Sequence, residues 1–235
     1  MKKTVVAFLA CISLLRTSDS FADYAQGCND PEYQQYIDEQ FAQFEAKNMR
    51  LLDDTLRDYN LSLSTSNNLY QVIASLSRHL KFSAQFEPVN EVAAKIDLIF
   101  KHANELSIDQ HIAGDVFDGF SSETHSVGIA RAWIAYRQGN HEESFEELLK
   151  SIDVTGSALL GSFGPDFDFI RQIYSDGHVA PVVSYIDKTE TFWTGKRADD
   201  MRDVWRRMIN AGCKIQFNSV DTIKAVELGL SIAET

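Results

Sequence analysis

Six histidines are the side chains best suited to acid–base or metal chemistry: His79, His102, His111, His125, His141 and His178. Their spacing contains no HExxH arrangement and no i, i+4 pair, the patterns that set two imidazoles on one helix face around a zinc ion. His102 and His111 flank Glu105 and Asp109, a set that could hold a metal, but four polar residues around a helix break more often form a solvated surface. Asp166 and Asp168 follow Gly164-Pro165. They could act as a general acid/base pair, yet carboxylates there are fully explained by a helix N-terminus and its dipole. Asp199, Asp200 and Asp203 read as an exposed acidic face beside Arg202 and Arg206. Gly161-Ser162-Phe163-Gly164 lacks the Lys-Ser/Thr ending of a phosphate loop, and no GxSxG segment follows a strand. The reading is therefore no catalytic residue, no metal and no cofactor.

The first residues, MKKTVVAFLACISLLRTSDSFA, have the parts of a secretory signal. Lys2 and Lys3 form the positive start, Thr4 to Leu15 the apolar run, and Ser20-Phe21-Ala22 the small-x-small site, so residues 1–22 are expected to be removed by cleavage after Ala22. The apolar run is short of the roughly 20 residues that span a bilayer. A buried N-terminal helix is the structural alternative. Cys11 as an acylated lipoprotein cysteine fits less well, because the apolar run continues past it. A periplasmic or secreted protein is expected, with no membrane insertion after signal removal.

Cleavage would remove three basic residues and one acid, taking the net charge from −12 to −14. Nucleic acid as a partner is disfavoured, since its binding rests on Lys and Arg neutralising phosphates. Of the three cysteines only Cys28 and Cys213 would remain. In an oxidising compartment they suggest one disulfide; two separate thiols stay open, because sequence cannot place their Cα atoms.

The elements that must position these residues are helices throughout. Asn29-Asp30 before Pro31 is a cap followed by proline at the first helical position. Tyr33, Ile37, Phe41 and Phe44, then Leu52, Leu56 and Tyr59, recur at helical steps, with an interruption expected near Lys47-Asn48. Ser62 to Asn68 reads as a loop before Leu69, Val72, Ile73, Leu76 and Leu80. A third helix should start near Pro88, with Ile108, Ile112, Val116 and Phe120 continuing its period after a short break. Later helices are expected near 126–138, 141–152, 165–175, 178–193, 198–211 and 220–232. The fold class is all-α, with a soft boundary near Ser121-Ser122 between an N-terminal helical region (residues 23–121) and a second region (residues 122–235).

That second region carries a resemblance. Around Gly139 small residues (Ala132, Ser144, Ser151) stand where two helices would approach closely, and Phe145 and Leu148 fill the accompanying core positions. Tyr136, Gly139 and Leu148 recur 38 residues later as Tyr174, Gly177 and Ile186. The pair resembles the tetratricopeptide repeat, with Ser where Ala is usual and without the helix-ending proline. Ser162 to Phe217, from Ser-Phe-Gly-Pro to Phe192-Trp193, Trp205 and AGCKIQF, looks like the C-terminal tail of bacterial tetratricopeptide-type proteins. The resemblance covers about residues 126–217. It implies stacked antiparallel helical hairpins, an α-solenoid, with Ile129, Trp133, Tyr136 and Arg137 on a concave partner-binding face. Aromatics at helical spacing are also what a helix core requires. The expected function is an exported interaction protein that is not an enzyme and binds a protein or peptide. The alternative is a small-ligand protein or hydrolase with a pocket between helices.

Overall fold

A computed structural model describes residues 24, 26–105, 112–113, 116–117, 121–153 and 158–230. The expected signal segment, Ile108, His111 and Phe120 lie outside them. Among the described residues ten α-helices pack on one another: α1 (Pro31–Thr65), α2 (Leu69–Phe86), α3 (Val89–Asn104), α4 (Ser121–Arg137), α5 (His141–Lys150), α6 (Ala158–Phe163), α7 (Asp168–Ser175), α8 (Val179–Lys188), α9 (Lys196–Asn210) and α10 (Val220–Glu227). The all-α class is what the periodicity implies.

The caps follow local chemistry. The Asp30 carboxylate accepts from the Glu32 N–H at 2.9 Å with Pro31 at the first position, and Asn68 accepts from the Tyr70 N–H at 3.0 Å. Both orphan donors belong to helix first turns. α1 runs uninterrupted through Lys47-Asn48, because the Asn48 amide finds partners outside its helix in Gln85 and Asp168. It also extends four residues, Ser62 to Thr65, into the expected loop. There Ser62, Ser64 and Thr65 donate to the carbonyls of Tyr59, Leu61 and Leu61 along the helix, which lets hydroxyl residues stay helical.

The expected helical continuation through Ile112 and Val116 is not what forms. Ile112–Ala113 and Val116–Phe117 are a minimal antiparallel ladder, Ile112 opposite Phe117 and Ala113 opposite Val116. The two residues between them, Gly114 and Asp115, have the composition of a tight hairpin connection, which competes with the four-residue spacing of apolar side chains. α6 also falls between the helices expected near 141–152 and 165–175.

Close helix approach rests on small side chains. A Cβ on Gly128 would lie 2.5 Å from that of Ser151, so α4 and the end of α5 meet at a spacing only glycine permits. The fully buried Ser144 hydroxyl donates to the Ala132 carbonyl at 2.8 Å. α4–α5 and α7–α8 close in the same way. Gly139 and Gly177 take φ of 81° and 90°, and the next N–H (Asn140, His178) reaches the carbonyl five residues back (Ala135, Ile173), each at 2.9 Å. These are Schellman endings, for which glycine is the preferred residue. Gly212 and Gly229 end α9 and α10 likewise.

One contiguous apolar cluster runs from Tyr24 through Leu76, Ile99, Trp133, Ile173, Tyr185 and Trp205 to Leu228. Helix α2 packs on α4 across the expected boundary near residue 121. Cys28 and Cys213 form a disulfide with Cα atoms 4.9 Å apart. It ties the start of the described chain to the loop after α9, where the Tyr174 hydroxyl also donates to the Cys213 carbonyl at 2.8 Å.

Candidate functional site

The four residues expected on a partner-binding face divide between core and surface. Ile129 and Trp133 are buried, at 3% and 8% exposure. The Trp133 ring lies 4.7 Å from that of Phe169. Tyr136 contacts the next hairpin: its hydroxyl donates to Asp176 Oδ2 at 2.5 Å, and its ring packs edge-on against Phe169, His141 and His178. Burial first, then this carboxylate, raises its pKa. Arg137 is exposed and donates to the Ala84 carbonyl at the end of α2, at 2.9 Å, a favourable place for a cation. Helix packing accounts for most of what these four do.

Trp133 nevertheless also lines a cleft of about 460 Å³ between α1, α2, α4 and α7. Phe41, Ala42, Phe44 and Phe86 supply the rest of its apolar wall, and Glu45, Asn48, Gln85, Asp168, Arg171, Gln172 and Ser175 its polar one. The polar groups are held in place. Asn48 Nδ2 donates to Gln85 Oε1 at 3.1 Å and to Asp168 Oδ2 at 3.3 Å, leaving its carbonyl oxygen as an acceptor for a ligand. Arg171 donates through Nε and Nη2 to the Gln216 carbonyl at 2.9 and 2.7 Å, and through Nη1 to Asp168 at 3.0 Å. Its guanidinium sits 4.3 Å from the Phe44 ring centre, a cation–π contact that fixes both.

Behind the cleft lies a half-buried ionic cluster. Lys81 Nζ is 2.7 Å from Asp166 and 3.3 Å from Asp168. Burial opposes charge on Asp166, but the Lys81 ammonium outweighs it and holds that carboxyl below its ordinary range; the two carboxylates raise Lys81 in return. The expected capping role is also present, since Asp166 Oδ1 accepts from the Asp168 N–H at 2.7 Å. His125 is committed at both nitrogens, with Nδ1 3.1 Å from the Ser151 carbonyl and Nε2 accepting the Asp166 N–H at 3.0 Å. Nδ1 must then carry the proton, and burial depresses its pKa so that the ring stays neutral.

No other expected reactive set assembles. Asp199 and Asp203 are exposed, whereas Arg202 beside them is buried; its Nη1 donates to the Trp193 carbonyl at 2.7 Å and it pairs with Asp199. Arg206 bridges Asp187, Glu190 and Asp203. His102 stands 3.7 Å from Glu105. Among the described residues no group of three or more His, Cys, Asp or Glu side chains could hold a metal, and no helix is long and apolar enough to cross a membrane. The cleft thus offers aromatic faces, amides, the Asp168–Arg171 ion pair and the carboxylate of Glu45.

Sequence reasoning did not single out Asn48, Gln85 or Arg171. Polar residues inside amphipathic helices give no local signal of a shared cleft. Comparison with known proteins finds no matching family, no matching curated protein and no matching solved structure.

Proposed function

We propose that this is an exported interaction protein, built of tetratricopeptide-like stacked hairpins, that binds a peptide segment of a cell-envelope partner in the cleft between α1, α2, α4 and α7. The observation that carries this reading is the cleft's pairing of an aromatic wall with a row of carboxamides. Amides match the donors and acceptors of a peptide backbone, and aromatic faces take its side chains. The matching Gly139 and Gly177 turns support the stacked-hairpin part, and the Cys28–Cys213 bridge is in keeping with export to an oxidising compartment. A hydrolase is disfavoured because Asp166, Asp168 and His125 are engaged by protein groups.

The test uses the full chain in its producing cell, with a photo-crosslinking residue at Gln172 in the cleft or at Glu142, an exposed position that does not line it. Crosslinks to a partner polypeptide are expected from position 172 and not from 142. They should disappear when Ala42→Trp fills the cleft from an exposed lining position. Equal crosslinking at both positions, or crosslinks indifferent to Ala42→Trp, would overturn the reading.

A further inference from the structure

A second groove, of about 370 Å³, opens between α6, the start of α9 and the loop before α10. Its floor and walls are aromatic and apolar: Phe163, Phe167, Trp193, Met201 and Phe217. The Ser-Phe-Gly-Pro and Phe-Trp segments of the sequence meet here. Gly164, at φ 80°, lies so close to the Trp193 indole that a Cβ would come within 2.8 Å of it.

Three features set this groove apart. Phe217 is the one non-glycine residue with positive φ (55°) among those described. Such backbone is sparsely populated and persists only when its surroundings enforce it, typically at functional sites. Here the buried Asp221 enforces it by accepting from the N–H groups on either side, Gln216 at 3.1 Å and Asn218 at 2.9 Å, and from Trp205 Nε1 at 3.0 Å. The strained residue is thereby clamped with its ring stacked on Phe167, 6.3 Å apart and 5° from parallel. Secondly, Phe163 is 81% exposed at the groove's lip, an unusual state for a phenylalanine. Thirdly, Arg197 is the groove's only charged lining residue. It occupies the first turn of α9, where the helix dipole disfavours a cation, and no hydrogen bond or ion pair engages it among the described residues. Its neighbour Lys196 instead pairs with Asp200.

We propose that this groove binds the C-terminal residue of a polypeptide, its apolar side chain against Trp193 and Phe217 and its free carboxylate on Arg197. Charge selects this occupant. A single unpaired guanidinium beside an apolar floor complements one carboxylate attached to one large side chain, and guanidinium–carboxylate pairing is bidentate and strong. A second copy of this chain is disfavoured by self-repulsion at a net charge of −12. The volume holds one bulky side chain with its carboxylate, while the lip at Phe163 leaves an exit for the preceding chain. The proposal does not depend on the cleft at Trp133.

The test is fluorescence anisotropy of a labelled Gly/Ser peptide ending in phenylalanine, titrated with the disulfide-bonded full chain, against the same peptide as its C-terminal amide. The acid should bind in the roughly micromolar range, and the amide about tenfold more weakly, the scale of one charge-assisted pair. Arg197→Ala, at an exposed position, should lose the same factor for the acid and nothing further for the amide. Arg78→Ala, exposed and away from the groove, should change neither. Equal binding of acid and amide, or an unchanged Arg197→Ala variant, overturns the proposal. So does absence of binding at about 1 mM. Hydrocinnamate binding as tightly as the peptide would make the groove a small-carboxylate site and overturn the polypeptide assignment.

Discussion

Most of the buried ionisable groups are either kept neutral or paired, and that sets how single residues respond to pH. His79 and His125 are depressed chiefly by burial, so the folded state binds fewer protons there than the unfolded chain. Their contribution is complete above the ordinary imidazole value of 6.5 and is lost as pH falls below it. Asp221 works in the opposite sense. Burial raises it to about 6 from 3.8, against its three donors, so its carboxylate opposes folding near neutrality and that cost is relieved as pH falls from about 6 toward 3.8. Glu87 and Asp166, both lowered by Lys partners, lose their contributions only below their ordinary 4.5 and 3.8. Between 6.5 and 6 the imidazoles therefore dominate, and unfolding free energy should fall by up to about 1.4 kcal/mol per pH unit for each. Urea midpoints measured across this window, in wild type and in His125→Gln, check it. The variant should be less stable throughout and, with Asp221 opposing the one remaining ring, show less than half the slope. A wild-type midpoint flat through that window would show that these rings are protonated in the fold. Which histidines would matter was not legible in the sequence, because His79 and His125 differ from exposed His141 only in what folds over them.

Elements are where the sequence speaks most clearly, and its failures are instructive. Apolar spacing, Asp30-Pro31, Asn68 and the glycine endings placed nearly every helix within a few residues. Errors arose wherever a tertiary partner or a local hydrogen bond overrode composition: Asn48 satisfied by Gln85 and Asp168, Ser62 to Thr65 bonded along α1, and Ile112 and Val116 drawn into a ladder. The two sites lay further from view. Each draws residues from three or more elements, and Arg197 stands out only once its lack of a partner is seen. The Cys28–Cys213 bridge belongs to this scale as well, joining elements 185 residues apart. In the chain-entropy account a loop of that length is worth about 4–5 kcal/mol, less whatever residual structure the unfolded chain keeps. Tyr33, whose hydroxyl donates to the Lys214 carbonyl at 2.5 Å, and the Lys214–Asp38 pair hold the same junction without covalent help. A Cys28→Ser, Cys213→Ser variant, or the wild type under reductant, should accordingly lose at least about 2 kcal/mol by urea unfolding while keeping its helical circular dichroism in the absence of denaturant. A midpoint indifferent to reductant would mean that the thiols are unpaired.

At the scale of the whole molecule, the question is whether the N-terminal helices and the hairpin region are separable. Side chains cross the expected boundary repeatedly. Arg137 caps α2 through the Ala84 carbonyl, Asn48 reaches Asp168, Gln216 Nε2 donates to the Tyr36 hydroxyl at 2.9 Å, and the apolar cluster is continuous from Tyr24 to Leu228. A core shared in this way makes each half the solvent shield of the other, so neither can open without exposing apolar surface at roughly 25 cal/mol per Å². Cooperative unfolding as one unit follows. The chain offers a direct check, because its three tryptophans, Trp133, Trp193 and Trp205, all lie after residue 121, whereas 35 residues of helix α1 report only through far-ultraviolet circular dichroism. Urea curves followed by tryptophan emission and by circular dichroism should coincide in midpoint and slope. A tryptophan transition displaced from the dichroism transition would mean that α1 to α3 unfold apart from the hairpins. The cleft between α1, α2, α4 and α7 would then be an interface between units that can part, rather than a wall fixed by a common core.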